Sequence, residues 1–260
     1  MDPSKSVLIT GASGGIGYEL AKLFARDRHN LVLVARSGDK LAQVAAELQP
    51  HGITVRTIPL DLAALQARKF LFDQLQREGI SVDILINNAA FGMFGEFAQM
   101  AESEILGQLD LNIIALTELT RLFLPAMIRR RSGRIMNVAS TAGFQPGPLM
   151  AVYYATKAYV ISFSEAIANE LRGSGVTVTC FCPGATHTGF AQRAGIDKSR
   201  LFKFGAMSAE KVALDGYRAV MEGRGLAISG AHNWLVAEST RFAPRKMVTA
   251  VSRWVSEKME

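Results

Sequence analysis

"VLITGASGGIGYELAKLF", residues 7–24, decides the fold. Four apolar or β-branched residues read as a buried strand. A glycine-rich turn follows, and then a segment of helical period. Glycines at 11, 15 and 17 give the spacing T-G-x-x-x-G-x-G. Without side chains at such positions, backbone N–H groups and a helix N-terminus come close enough to hold a pyrophosphate. The pattern G-x-G-x-x-G does not fit, because from Gly15 its third glycine would fall on Leu20. Ordinary tight turns also use glycines, so the place of this loop directly after the first strand carries the reading.

Outward from this stretch, short apolar runs alternate with helical patterns. Residues 7–10, 31–35, 53–58, 83–86, 134–138 and 176–182 read as strands, with 225–229 a candidate seventh. Their near-continuous apolar character suits strands covered on both faces. Helices are predicted near 15–28, 39–49, 62–78, 102–130, 152–172 and 208–222, with a kink or end at Pro125. The alternation predicts a Rossmann-type α/β fold, a doubly wound parallel sheet of about seven strands with helices on both faces. One domain spanning 1–260 is expected, with a helical tail over about 231–260.

The bulk properties exclude several classes. Lysine and arginine number 29 against 23 acids, a net charge of +6. The positives are scattered apart from Arg129-Arg130-Arg131, so no basic stripe marks a nucleic-acid partner. Cys180 and Cys182 share one face of a strand and read as buried free thiols. No metal site is expected. No apolar stretch approaches the roughly 18 residues of a membrane span, and the chain reads as a soluble cytoplasmic protein.

The end of the second strand chooses between dinucleotides. An acid there bonds the ribose 2′-hydroxyl of NAD, but this chain reads Ala35-Arg36-Ser37. Arg36, with Ser37 and Lys40, offers a planar fork for a 2′-phosphate, so NADP(H) is expected over NAD(H).

In motif order the chain resembles the short-chain dehydrogenase/reductase family, in its short single-domain branch, over about residues 5–190. The residues that carry the likeness are "TGASGGIG" (10–17), Asp61 of "LDL", "NNAA" (87–90), Asn112 of "DLNIIA", Ser140 of "NVAS", "YYATK" (153–157) and "PGATHT" (183–188). The resemblance implies cofactor contacts from Gly11, Ser13, Gly15, Ile16, Gly17, Arg36, Ser37, Asp61, Leu62, Asn88, Ala89, Tyr153, Lys157, Pro183, Gly184 and Thr188. It implies a catalytic set of Ser140, Tyr153, Lys157 and Asn112, the last holding a water that links Lys157 to solvent. A homo-oligomer, dimer or tetramer, is implied as well. Two departures stand out. Ala90 replaces a family glycine and would be strained at positive φ. The ending "AISGAHNW" replaces V-D-G-G.

Counting four residues back from Lys157 gives Tyr153 rather than Tyr154, and positions i and i+4 share a helix face. A free tyrosine has a pKa of about 10, and a nearby ammonium favours its ionisation. Ser140 would donate to a carbonyl oxygen as charge builds there. Tyr154 and Tyr159 read as packing or substrate wall, and His187 as surface. Phe91, Met93, Phe94, Phe144, Met150 and Phe190 are candidate pocket residues. The aromatics of 189–207 read either as a substrate lid or as core. The expected activity is NADP(H)-dependent interconversion of a carbonyl and an alcohol on an apolar small molecule. Its alternative is a catalytically silent nucleotide-binding or regulatory protein on the same scaffold. An epimerase, a dehydratase or a methyltransferase fits the length or the tyrosine–lysine pair less well.

Overall fold

The computed structural model describes residues 5–197 and 199–257, with the side chains of Leu201, Lys203 and Phe204 outside that description. Lys198 of the expected lid and residues 258–260 of the expected tail also lie outside the described residues.

Strands β1 (Ser6–Thr10), β2 (Asn30–Ala35), β3 (Val55–Pro59), β4 (Val82–Asn87), β5 (Gly133–Val138) and β6 (Val176–Cys182) follow the apolar runs closely. Strands β7 (Thr186–His187) and β8 (Met207–Ser208) form a separate short pair, and β9 (Leu226–Ile228) is the seventh strand of the main sheet. That sheet is parallel throughout, in the order β3-β2-β1-β4-β5-β6-β9. The order in which strands are added reverses between β1 and β4, and open sheets of this kind bind ligands outside the carboxyl ends at such a switch.

Side-chain alternation sends successive strand residues to opposite faces. On one face Val7, Ile9, Leu31, Leu33, Ile84 and Ile86 pack under α1 (Gly15–Arg26), α2 (Gly38–Leu48) and α9 (Ala209–Glu222). On the other, Leu8, Val32, Val34, Leu85, Ile135 and Val178 pack against α3 (Ala67–Arg77) and α5 (Leu116–Arg130). Helix α6 (Ala151–Glu170) covers β5 and β6 beside α5. A polar pair interrupts the apolar layer. Asn87 and Asn137 sit opposite each other in β4 and β5, with Asn87 Nδ2 donating to Asn137 Oδ1 at 2.9 Å and to Thr120 Oγ1 at 3.1 Å. Asn137 Nδ2 donates in turn to Ser164 Oγ at 3.0 Å.

Two boundaries differ from the sequence reading. The helix expected from 62 starts at Ala67, because the Asp61 carboxylate accepts from Ala63 N at 3.0 Å and Gln66 adopts φ 63°. That local turn competes with the helix. Pro125 does not end α5, which runs to Arg130. The Arg121 carbonyl that loses its partner lies beneath an exposed residue, where solvent can serve it. The irregularity falls earlier. α4 (Glu102–Leu109) passes into α5 through a π turn over Asp110–Ala115, a distortion common at functional sites.

Contrary to the sequence expectation, the continuous helix Glu102–Arg130 is long and apolar enough by length and composition to cross a membrane. Its apolar side is used in the fold, with Leu116, Leu119, Phe123 and Met127 buried.

Candidate active site

The glycine loop is built for close backbone approach. Gly11 and Gly15 adopt φ +68° and +56°, which residues with a Cβ rarely do. A Cβ on Gly17 would lie 2.4 Å from Gly11 O and 2.6 Å from Asn88 Nδ2. Thr10 Oγ1 accepts from Asn88 N and Ala89 N, each at 2.9 Å, and Asn88 Nδ2 donates to Thr10 O at 2.9 Å. These bonds tie the carboxyl ends of β1 and β4 into one cradle at the N-terminus of α1, where no side chain caps the helix. Half-exposed Ser13 and half-buried Ile16 flank it. An anionic diphosphate fits the cradle, since free N–H groups and the helix dipole both favour negative charge.

Toward β2 and β3 the cleft turns cationic. Arg36 is exposed at the end of β2, and the Ser37 hydroxyl caps α2 by accepting from Lys40 N at 3.4 Å. Asp61 is exposed at the end of β3, whereas the Leu62 side chain is core, leaving only its backbone for a ligand. Sequence reasoning missed Arg193. It projects from α7 (Gly189–Ala194), and its guanidinium lies 4.8 Å from the centre of the Phe91 ring. Burial lowers its pKa, the charge on Arg36 lowers it further, and Asp61 opposes both. Only the closure of α7 over the cleft brings these three groups into one field.

At the other end, Ser140 stands two residues beyond β5. Its hydroxyl accepts from Ala142 N at 3.1 Å, capping a 3-10 turn over Thr141–Phe144, and donates to Pro183 O at 3.3 Å. Tyr153 and Lys157 share one face of α6. Lys157 Nζ donates to Val138 O at 2.7 Å and lies 5.7 Å from the Tyr153 ring centre. Burial raises the Tyr153 phenol well above its ordinary value, and the neighbouring Ser140 hydroxyl pulls it partly back. Burial likewise pushes Lys157 down to about 8, opposed by the nearby thiols of Cys182 and Cys180. Desolvation is the larger influence on the phenol and works against the ionisation that a nearby ammonium favours. Gly92, also missed, makes room for the phenol, since a Cβ there would sit 2.9 Å from the ring.

Asn112 lies in the π turn and is buried. Its Oδ1 accepts from Phe91 N at 3.1 Å, and Nδ2 donates to Phe91 O at 2.8 Å and Thr156 Oγ1 at 3.1 Å. The side chain is a clamp between the loop after β4 and α6. Ala90 is not strained, because it is absent from the non-glycine residues at positive φ. Leu149, just before α6, is one of them at φ 67°, and its carbonyl accepts from Gly95 N at 2.8 Å.

Thr188 caps α7 by accepting from Phe190 N at 3.2 Å, and its methyl would lie 3.0 Å from a Cβ on Gly15. The motif after β6 therefore faces the glycine loop. Pro183 O also accepts from Thr141 N at 2.9 Å, and Gly184 lets Asn233 Nδ2 approach to 2.4 Å from where a Cβ would be. Phe94, Phe190, Phe202 and Met150 cluster with Tyr153, and the Phe190 ring is 5.2 Å from it. Phe144 differs from expectation. It packs with Ile161 and Cys180 and lines a separate cavity of about 570 Å³ on another side of α6. Tyr154 is buried over Gly147 and belongs to the same cluster as Tyr153, meeting its ring edge-on, whereas Tyr159 is partly exposed and His187 exposed. The segment 189–207 folds as α7 and α8 (Arg200–Gly205), anchored by β8 on β7 and by Phe94 N donating to Ala194 O at 3.0 Å.

A strand–glycine loop–helix cradle thus runs along one sheet edge to a buried serine and lysine and a half-buried tyrosine. A family model described as short chain dehydrogenase matches residues 5–199. The chain belongs to the short-chain dehydrogenase family. This short-chain dehydrogenase is 39% identical over 180 residues to the ketoacyl reductase HetN of Nostoc sp., which covers 69% of this chain and 63% of that relative. It superposes on a short-chain dehydrogenase from Sphingobium yanoikuyae in complex with NADPH at TM-score 0.82 and 34% identity, covering 92% of this chain and 94% of the other. A family structure from Burkholderia phymatum in complex with NAD gives TM-score 0.82 at 25% identity, covering 99% of this chain and 98% of that one. The family match and the seven-stranded parallel sheet agree on the fold, and the chain spans about 63% of the length of HetN.

Proposed function

We propose that this short-chain dehydrogenase uses NADP(H) to interconvert an apolar carbonyl compound and its alcohol, with Tyr153 as general acid and base. The observation that carries this reading is the meeting of Ser140, Tyr153 and Lys157 at the carboxyl edge of the sheet. NADP(H), when bound, supplies or accepts the hydride. Gly11, Ser13, Gly15, Ile16 and Gly17 would hold its diphosphate, and Arg36 with Ser37 its 2′-phosphate. Asp61, Leu62 backbone, Asn88 and Ala89 would line the adenosine side, and Pro183, Gly184 and Thr188 the nicotinamide side. That a family member near in structure is described in complex with NADPH supports the choice, and the lack of an acid at Ala35 removes the group that would repel a 2′-phosphate.

In reduction, the protonated phenol of Tyr153 hands its proton to the carbonyl oxygen as charge builds on it, and the Ser140 hydroxyl donates to the same oxygen. Lys157 keeps a positive charge beside the phenol and eases the loss of its proton. Asn112 holds Phe91 and α6 at fixed distance and, as proposed from the resemblance, connects Lys157 to solvent through a water. Phe94, Met150 and Phe190 exclude bulk water and accept an apolar substrate, which a resemblance to a ketoacyl reductase suits. The test is a panel of 3-oxoacyl thioesters, aliphatic ketones and aldehydes assayed by reduced-cofactor absorbance with NADPH and NADH. Turnover on an apolar carbonyl with NADPH supports the reading. Cofactor binding with no turnover on any member would favour the silent nucleotide-binding alternative.

A further inference from the structure

We propose that the outward face of the C-terminal helix seats this protein on the surface of an anionic lipid bilayer. The helix α11 (Arg245–Ser256) is turned inside out relative to an ordinary surface helix. The residues it buries are Val248, Ser252 and Ser256, a narrow and mostly polar stripe. The residues it presents outward are Met247, Val251 and Trp254, exposed by 56%, 53% and 57%. Spacings of four and three residues put these three on one line along the helix. Phe242, in the turn before α11, is 87% exposed. Among the described residues the Arg200 guanidinium lies over Trp254 at one end of this line, and no apolar group is seen to cover it, although a helix with a strong apolar side normally packs that side inward.

Charge decides what covers it. Lys246 and Arg253 run along one edge of the apolar line. No carboxylate reaches Lys246 within ion-pairing distance among the described residues, and Arg253 Nε lies 3.4 Å from Glu257. The Arg200 guanidinium stacks 4.9 Å over the Trp254 ring and lies 3.6 Å from Glu257, so three cations along this edge face one carboxylate. An apolar line with a tryptophan and a basic edge is the composition of helices that lie in the plane of a headgroup region. A second copy fits less well. A twofold axis relating two antiparallel α11 helices face to face would lay one basic edge against the other, which like charges oppose. An anionic bilayer satisfies both the apolar line and the cations.

The two tryptophans of the chain, Trp234 and Trp254, are both exposed in this tail, so intrinsic fluorescence reports the contact directly. Full-length protein is mixed with vesicles of phosphatidylcholine alone or with one third phosphatidylglycerol, and emission and co-sedimentation are measured. A blue shift and pelleting with the anionic vesicles only, reversed by high salt, is the expected result. Val251→Asp lowers partitioning by about tenfold, and Lys246→Gln by about fivefold, while NADPH titration of both variants checks that the fold is retained. Equal binding to neutral vesicles, or no binding to either, overturns the proposal. A blue shift that grows with protein concentration in the absence of lipid also overturns it and assigns the face to a second copy. The proposal stands apart from the catalytic reading, because none of its residues touches the cleft.

Discussion

Lys157 Nζ lies 5.7 Å from the centre of the Tyr153 ring, both groups drawn by α6 into a region that burial has made hostile to charge. The lysine therefore reaches neutrality sooner than a free lysine, at a pKa of about 8, while the phenol stays protonated. Carbonyl reduction is expected to hold steady near neutrality and to decline as pH rises through about 8, where the ammonium is lost. A pH profile of kcat/KM for reduction checks this; a profile flat to pH 10 would remove Lys157 from the proton-transfer step.

The same burial has a stability consequence. The folded-state value of Lys157, about 8, lies below its ordinary 10.5, so the folded protein holds this proton less tightly than the unfolded chain. Its charge opposes folding below pH 8, and the penalty fades as pH climbs from there toward 10.5. Lys157→Met is expected to raise unfolding free energy at pH 7 by about 1–3 kcal/mol while abolishing reduction. Urea titrations at pH 7 and pH 10 measure it, and the gain should shrink at the higher pH.

Tyr153→Phe removes the acid and leaves the ring that fills the space beside Gly92. Turnover is expected to fall by roughly 10³-fold with NADPH affinity unchanged. Single-turnover stopped-flow separates the two quantities, and near-normal turnover would dismiss the phenol.

Arg36→Ala is expected to weaken NADPH by about tenfold or more and NADH little, as loss of a charge-assisted phosphate contact requires. Arg193→Gln reads whether the closure of α7 contributes to the same anion. Fluorescence titrations with both cofactors suffice, and equal losses for NADPH and NADH in Arg36→Ala would reject the 2′-phosphate assignment.

Asn112→Ala leaves the Phe91 N–H and C=O and the Thr156 hydroxyl without the partners they have now. Destabilisation of about 2–4 kcal/mol is expected, from buried polar groups losing their bonds. A fall in kcat larger than any rise in KM would mark it as a positioning residue, because the loop it holds carries Phe91 and Gly92 past the phenol.

The sheet was legible because its strands are buried on both sides and so read as continuous apolar runs. The glycine spacing pointed to the cradle, and the family spacing Y-x-x-x-K, in agreement with the shared helix face of i and i+4, pointed to Tyr153 rather than its neighbour. What escaped were effects of the assembled molecule. The helix around Asn112 adopts a π turn that no local propensity announces, whereas Pro125, a strong local signal, proved harmless near solvent. Phe144 follows Ser140 closely in sequence, yet the 3-10 turn carries it to another side of α6. Arg193 carries no motif at all, and its place beside Arg36 and Asp61 exists only after α7 has crossed the cleft. Periodicity likewise cannot tell which side of α11 faces inward.

The paired amides of Asn87 and Asn137 have a further consequence. Sliding β5 by one position along β4 would set Met136 or Val138 against Asn87, set Ile86 or Asn88 against Asn137, and part the two amides. It would also move Ser140 by about 3.3 Å, the rise of one strand residue, and swing it to the opposite side of the ribbon. The pair therefore works as a detent: a misthreaded sheet is rejected during folding, before it can persist as a well-formed but inert molecule.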